Sequence, residues 1–308
     1  MTDDELPIID AHHHFWDPPR TDNPWLVEQP QIAFRYGDYG TICKPFLPAD
    51  YRALWGHHKV VANVTMEGEW SEADPVGETR WMRTIANKYR SPIAHVARAF
   101  LDRGDVEAVL AGHAADPLVR AIRHKPAAAL RPDAIEPAAP GGMSDPAWQR
   151  GYGLLAQFGL HFELQAPWWH VGELLRLIDR HPETPVVINH AFMPADRSPE
   201  ALAAWRSALG EAASAPDVAM KISGIGIAGR AWDIEDQRPI IDACIEMFGP
   251  ERCMFASNFP VDGLVGAFET IYSGFKSATR DLPAADRIRL FHDNAVRFYR
   301  LPLAPISE

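Results

Sequence analysis

Cysteine is scarce in this sequence: Cys43, Cys244 and Cys253 are the three thiols in 308 residues. An odd, scattered set builds no disulfide framework and no CxxC zinc pair. It suits a reducing compartment, so a cytoplasmic location is expected. Basic residues are also in short supply, with 30 Lys and Arg against 41 Asp and Glu and a formal net charge of -11. No Lys/Arg-rich run is present, which argues against nucleic acid as a partner. No stretch of about 18 apolar residues exists, so no membrane span is expected. The acidic start Thr2-Asp3-Asp4-Glu5 is unlike a signal peptide. A Gly-rich phosphate loop after the first apolar run is missing as well, which counts against an open dinucleotide-binding sheet.

What is present is 47% hydrophobic residues, 13 histidines and 10 tryptophans. That is enough apolar material for a large core, with an ample supply of side chains able to do chemistry. Short β-branched runs recur at 7–11, 59–66, 93–98, 118–124, 160–165, 185–190, 217–222 and 252–257. Amphipathic stretches separate most of them, among them 78–88, 171–180, 199–212 and 234–248. In the third of these, Leu202, Trp205 and Leu209 recur at helical spacing behind a Ser198-Pro199 start. Eight strands alternating with helices predict a parallel sheet. Their span of about 245 residues matches a closed (β/α)8 TIM barrel. One domain over 1–308 is expected, with extended loops after strands 1 and 4. The first, 16–58, is rich in Pro, Trp and Tyr and has the makings of a lid. The second, 125–142, is Ala/Pro-rich and expected to hold little regular structure. The tail 291–301 predicts a last helix with Ala295, Phe298 and Tyr299 turned inward.

Barrel sites lie at the carboxyl ends of the strands, so the polar residues there are the candidates. Strand 1 offers His12 and His14, which alternation places on one face with Asp10 behind them and His13 opposite. Two such imidazoles can hold a metal or polarise a carbonyl. Strand 2 ends in Glu67, strand 4 in Arg123, strand 5 in Gln165, strand 6 in His190 and strand 8 in Asn258, with Asp262 shortly after. Each has a bland alternative: Glu67 pairing with an arginine, Gln165 or Asp262 capping a helix, Arg123 closing an ion pair. Trp16, two residues beyond His14, is a candidate substrate-binding residue.

The blocks Asp10-Ala11-His12-His13-His14-Phe15-Trp16-Asp17, Val64-Thr65-Met66-Glu67-Gly68-Glu69-Trp70, Phe162-Glu163-Leu164-Gln165, Val187-Ile188-Asn189-His190, Lys221-Ile222-Ser223-Gly224 and Arg252-Cys253-Met254-Phe255-Ala256-Ser257-Asn258-Phe259-Pro260 resemble, in order and nearly end to end, the amidohydrolase-related family of the amidohydrolase superfamily. The nearest branch is that of sugar-acid lactonases and 2-pyrone-4,6-dicarboxylate lactonase. The resemblance implies the barrel and hydrolysis at a carbonyl, mostly of lactones. In the family's usual pattern an aspartate ending strand 8 activates water. Here Asn258 takes its place, and a carboxamide neither accepts a proton nor binds a cation well. Gln165 stands where a histidine ligand is expected. No tightly bound cofactor is therefore expected; the alternative is one divalent ion, zinc or manganese, on His12, His14 and His190.

The expected activity is hydrolysis of a small carboxylated lactone, from a sugar acid or a dicarboxylate. His12, His14 and His190 would polarise the carbonyl and Arg123 would hold a carboxylate, with Glu67, Asp262 or a histidine as base. A lactone isomerase of the same branch, needing no activated water, is the first alternative. A non-catalytic barrel that binds a small acid is the second. The partner is a small molecule, and a homo-oligomer is left open.

Overall fold

The computed structural model describes residues 2–306. Eight strands form one parallel sheet in the order β1 to β8: β1 Ile8–His13, β2 Val60–Met66, β3 Ala94–Arg98, β4 Val119–Arg123, β5 His161–Leu164, β6 Val186–Ile188, β7 Val218–Ile222 and β8 Cys253–Phe255. One α-helix follows each strand: α1 Pro48–Ala53, α2 Gly77–Tyr89, α3 Val106–Ala114, α4 Pro146–Tyr152, α5 Val171–Arg180, α6 Pro199–Ala213, α7 Ile234–Phe248 and α8 Phe268–Ala278. Two short helices, α9 Ala284–Ile288 and α10 Asn294–Phe298, joined by a π turn, complete the chain. Beyond β8, the Asn258 amide donates to the His12 carbonyl at 2.8 Å and the His14 amide to Phe259 at 2.7 Å. These bonds draw the two edges of the sheet together, giving a nearly closed (β/α)8 barrel, and they do so at the strands' carboxyl ends.

Two apolar layers hold this arrangement. The outer one lies between strands and helices. In α5, Val171, Leu174 and Leu177 recur every three residues and are buried, so one stripe of the helix faces the sheet. Burying a leucine of this kind stabilises the fold by roughly 1.5–3 kcal/mol. In α6 the predicted cap is present: Ser198 Oγ accepts from the Ala201 amide and Pro199 occupies the first turn. The inner layer fills the barrel with Ile9, Val64, Val96, Ala121, Val187 and Met254. Ala295 and Tyr299 join it from the tail, where Phe298 is half-buried against the same cluster. Arg300 donates to the Gly159 carbonyl ahead of β5, so the tail covers the barrel at the amino ends of its strands. The loop 125–142 holds only a short 3-10 turn, Pro132–Ala134.

β1 departs from regular alternation. Asp10 pairs with Asn63 and His13 with Thr65, so three steps on β1 match two on β2. The extra residue is a bulge, and a bulge reverses which side the following residues face. The regular-strand expectation of Asp10 behind His12 and His14 is thereby overturned. Asp10 instead accepts from Tyr51 at 2.6 Å and from Ser257 Oγ at 2.5 Å. His13 stacks on that same Tyr51 ring at 4.2 Å. Asp10 thus ties the outer layer to the seam and stays out of the site.

Candidate active site

His12 and His14 share one face of β1, as alternation predicts, while the bulge sets Asp10 on the other. Their ring centroids are 5.3 Å apart, and His12 lies 4.7 Å from the ring of His190, beyond β6. His14 Nδ1 stands 3.0 Å from the Glu67 carbonyl oxygen. A carbonyl only accepts, so Nδ1 carries the hydrogen and Nε2 keeps a lone pair. Trp16 stacks against His14 at 5.7 Å and donates from Nε1 to Ile42 at 3.0 Å. His190 begins a run of left-handed backbone, with φ of 56°, 51°, 59° and 56° at His190, Ala191, Phe192 and Met193. Such a run is costly without glycine and points to a functional constraint. Its Nδ1 is 2.9 Å from Ser223 Oγ, at the end of β7.

Asn258 is left-handed too, at φ 55°. Its Nδ2 donates to Asp262 Oδ1 at 2.7 Å, and Tyr36 donates its hydroxyl to the same oxygen at 3.2 Å. Asp262 sits in a 3-10 turn, Val261–Leu264, well before α8, so it caps no α-helix. The Arg123 guanidinium is held on three sides: Nε donates to Glu67 Oε1 at 2.6 Å, Nη1 to Gln165 Oε1 at 3.0 Å and Nη2 to the Glu67 carbonyl at 2.9 Å. Of its five N–H groups, two are left for a ligand.

These elements border a cavity of about 390 Å³ whose polar wall includes His14, Glu67, Arg123, Gln165, His190 and Asn258. Trp16, Trp25, Phe34 and Met193 supply the apolar side. His12 and Asp262 lie one layer behind this surface; neither borders the cavity. Both ring nitrogens of His12 are buried without a hydrogen-bond partner. Below His12, Lys221 Nζ lies 2.8 Å from Glu163 Oε2, and both side chains are fully buried. Asn189 and Tyr299 also donate to Glu163, at 2.8 and 2.6 Å.

Burial sets the electrostatics. It pushes the His12, His14 and His190 imidazoles well below their ordinary range; Lys221 adds to this at His12, Arg123 at His14 and Arg35 at His190. All three are neutral at neutral pH. Burial drives Glu67 upward, but Arg123, Lys125 and Arg98 outweigh it and hold the carboxyl at about 2. A carboxylate that acidic makes a poor base. Burial raises Asp262 to about 6, against the opposing pull of Arg35 and the hydrogen bonds from Asn258 and Tyr36.

A divalent ion does not fit this donor set. The three histidines come with no carboxylate to offset the cations around them. Lys221, Arg123 and Arg35 all bear on the cluster as cations. Among the described residues, no group of three or more His, Cys, Asp or Glu side chains could hold a metal ion. Nor, among them, is any helix long and apolar enough to cross a membrane.

The cavity also contains residues that strand-end reasoning did not single out. Arg35, Phe34 and Trp25 come from the loop after β1, and Lys125 from the loop after β4. The aromatic richness of 16–58 was the only signal of this, and it indicated a lid without saying which residues enter the site.

Comparison with known proteins agrees with this architecture. The chain is 34% identical over 297 residues to the uncharacterized protein y4mH of Sinorhizobium fredii, covering 96% of this chain and 99% of that one. It is 28% identical over 298 residues to an L-fucono-1,5-lactonase of Burkholderia ambifaria, covering 95% of each. An amidohydrolase of Burkholderia multivorans, crystallised with bound HEPES, superposes with a TM-score of 0.78 at 26% identity, over 96% of this chain and 99% of that one. A second crystal form of an amidohydrolase from that organism contains bound zinc and superposes at 0.77. The family profile described as amidohydrolase matches residues 9–301. This chain, with its histidines gathered at the carboxyl ends of a parallel barrel, belongs to the amidohydrolase family.

Proposed function

We propose that the chain hydrolyses a small lactone bearing a carboxylate, derived from a sugar acid or a dicarboxylate. The observation that carries this reading is the convergence of His14, His190 and Asn258 on one cavity with an aromatic wall. The volume of about 390 Å³ suits a single six-carbon ring acid. The lactonase relative from Burkholderia ambifaria supports the same reaction class.

The reaction follows from the donor and acceptor inventory. Asn258 has its Nδ2 engaged by Asp262, so its Oδ1 is the group free to accept a hydrogen from the attacking water. His14 Nε2 takes the other hydrogen as that water's oxygen bonds to the carbonyl carbon. In the tautomer this step needs, Ser223 donates to His190 Nδ1, 2.9 Å away, and His190 Nε2 carries the hydrogen offered to the developing oxyanion. When the ring C–O bond breaks, the leaving oxygen takes the proton back from His14. His12 supports the two working rings from behind. Arg123, its charge answered by Glu67, contributes its two remaining N–H groups to orienting the ring acid. No step uses a metal.

Acid release in a pH-stat from a panel of carboxylated lactones is the direct test; intact lactones at high concentrations of folded protein reject the reading. Asn258 also favours a second reading, the lactone isomerase, because acyl migration between two hydroxyls needs no activated water. NMR separates the two: exchange of ring size without net acid release supports the isomerase.

A further inference from the structure

The cavity holds more positive charge than it answers. Arg35, Arg123 and Lys125 border it, with Arg98 just behind. The opposing carboxylates are Glu67 and Glu69. Glu67 pairs with Arg123 at 2.6 Å; Glu69 is shared between Lys125 and Arg98. Among the described residues, Arg35 has no ion pair within 4.0 Å, and Asp262, whose carboxyl feels its charge, is bonded to Asn258 and Tyr36. Arg35 is exposed at the mouth of this cavity, and a guanidinium there with no ion partner, in a protein with net charge -11, is available to an anion from outside.

The placement of Arg35 is built into the backbone. The loop after β1 carries it across the mouth to β7, where Nη2 donates to the Gly224 carbonyl. Its guanidinium lies over the neighbouring Tyr36 ring at 4.7 Å, and Tyr36 is itself fastened to Asp262. Gly224 is left-handed at φ +56°, and a Cβ there would stand 2.5 Å from His190 Nδ1 and 3.0 Å from Arg35 Nη1. The missing side chain is what lets the guanidinium settle beside His190. Its remaining N–H groups are unspent.

We propose that Arg35 is the specificity-determining residue that binds the substrate's free carboxylate, so that the loop after β1 selects lactones with an acidic substituent over neutral ones. This rests on the lactonase reading for the reaction, while the anion site stands on its own geometry. The role expected of Arg123 passes to Arg35 because the charge of Arg123 is already balanced.

The test compares a hexaric acid 1,4-lactone, which ends in a carboxylate, with the aldonic acid 1,4-lactone that ends in a hydroxymethyl group. Arg35→Met raises KM for the first by about 10- to 100-fold, the value of a charge-assisted hydrogen bond. Measured at pH 8, where Asp262 stays ionised with or without Arg35, kcat on both lactones stays within about threefold, KM for the neutral lactone is unchanged, and Arg35→Lys recovers part of the loss. Lys125→Met, whose charge Glu69 already answers, changes KM by less than about threefold. Equal losses on both lactones, or a loss in kcat alone, overturn the assignment. Calorimetry with two open dicarboxylates, a hexarate and pyridine-2,4-dicarboxylate, reads the site without turnover. At least one is expected to bind the wild type and to bind Arg35→Met at least tenfold more weakly. No binding of either, or equal affinity for both proteins, overturns the anion site. Arg35-dependent binding with no lactone hydrolysed sinks the lactonase reading and leaves the anion site standing.

Discussion

Two buried ion pairs sit one above the other in this barrel. The upper, Arg123 with Glu67, spans β4 to the end of β2; the lower, Lys221 with Glu163, spans β7 to β5. Both carboxyls are driven up by burial and pulled back to about 2 by their cations. Their surroundings differ. Glu163 is sealed by Asn189, Tyr299 and Lys221, each side chain buried. Glu67 and Arg123 border the cavity, and Arg123 also reaches Gln165. Identical chemistry serves the fold where the carboxylate's partners are all buried protein groups. Where some are left over toward a cavity, it can serve a ligand. The same distinction separates Asp10, spent on Tyr51 and Ser257, from Asp262, which stands behind Asn258.

Several experiments bear on that comparison. Removing a working ring has the largest effect: His14→Ala lowers kcat/KM by about 10²–10⁴-fold, with the far-ultraviolet dichroism unchanged. A loss under tenfold removes His14 from the proton transfer. Next, Glu163→Ala strands a buried lysine and costs about 3–5 kcal/mol in urea unfolding. Glu67→Gln costs less than half of that, because water in the cavity can solvate Arg123, yet lowers activity by more than about tenfold. Equal destabilisation by the two variants would erase the difference between the layers.

The pH dependence comes third. Asp262 has its carboxyl raised from an ordinary 3.8 to about 6. Only its ionised form, which accepts without donating, fixes the Asn258 carboxamide in one orientation. Activity therefore rises with pH through about 6, and Asp262→Asn abolishes that limb. The stability sign runs the opposite way. A carboxyl raised in the folded state favours folding below its unfolded value, and that contribution disappears as pH climbs from about 4 through about 6. The buried neutral histidines gain stability over the same range, so Asp262 opposes them, and denaturation midpoints at pH 4 and pH 7 should differ more in Asp262→Asn than in the parent. The smallest effect is that of a chelator: EDTA dialysis leaves kcat/KM within about twofold, because Lys221, Arg123 and Arg35 surround the imidazoles with positive charge that no nearby carboxylate ligand offsets. A stoichiometric metal in elemental analysis, lost together with activity, refutes this.

The strand ends were legible because a buried parallel strand is a continuous apolar run, and its first polar residues mark the mouth. The helix 234–248 and the Ser198-Pro199 start were readable for a similar reason, since periodicity and capping are local. The place of Asp10 was not readable. A bulge depends on pairing with β2, and one added residue reverses the faces. The place of His12, one layer behind the cavity, depends on that same bulge. Arg35 was hidden more deeply, in an irregular loop whose path is settled by contacts with Gly224 and Asp262 nearly two hundred residues or more away.

Local pattern by itself determined the eight βα units and the polar residues at their ends, because hydrophobic period and turn chemistry act over a few neighbouring residues. Only the closed barrel decided which of those residues meet, which charges cancel and which cation is left over. Charge balance and cavity shape belong to groups brought together from distant parts of the chain, and no short stretch of sequence contains them.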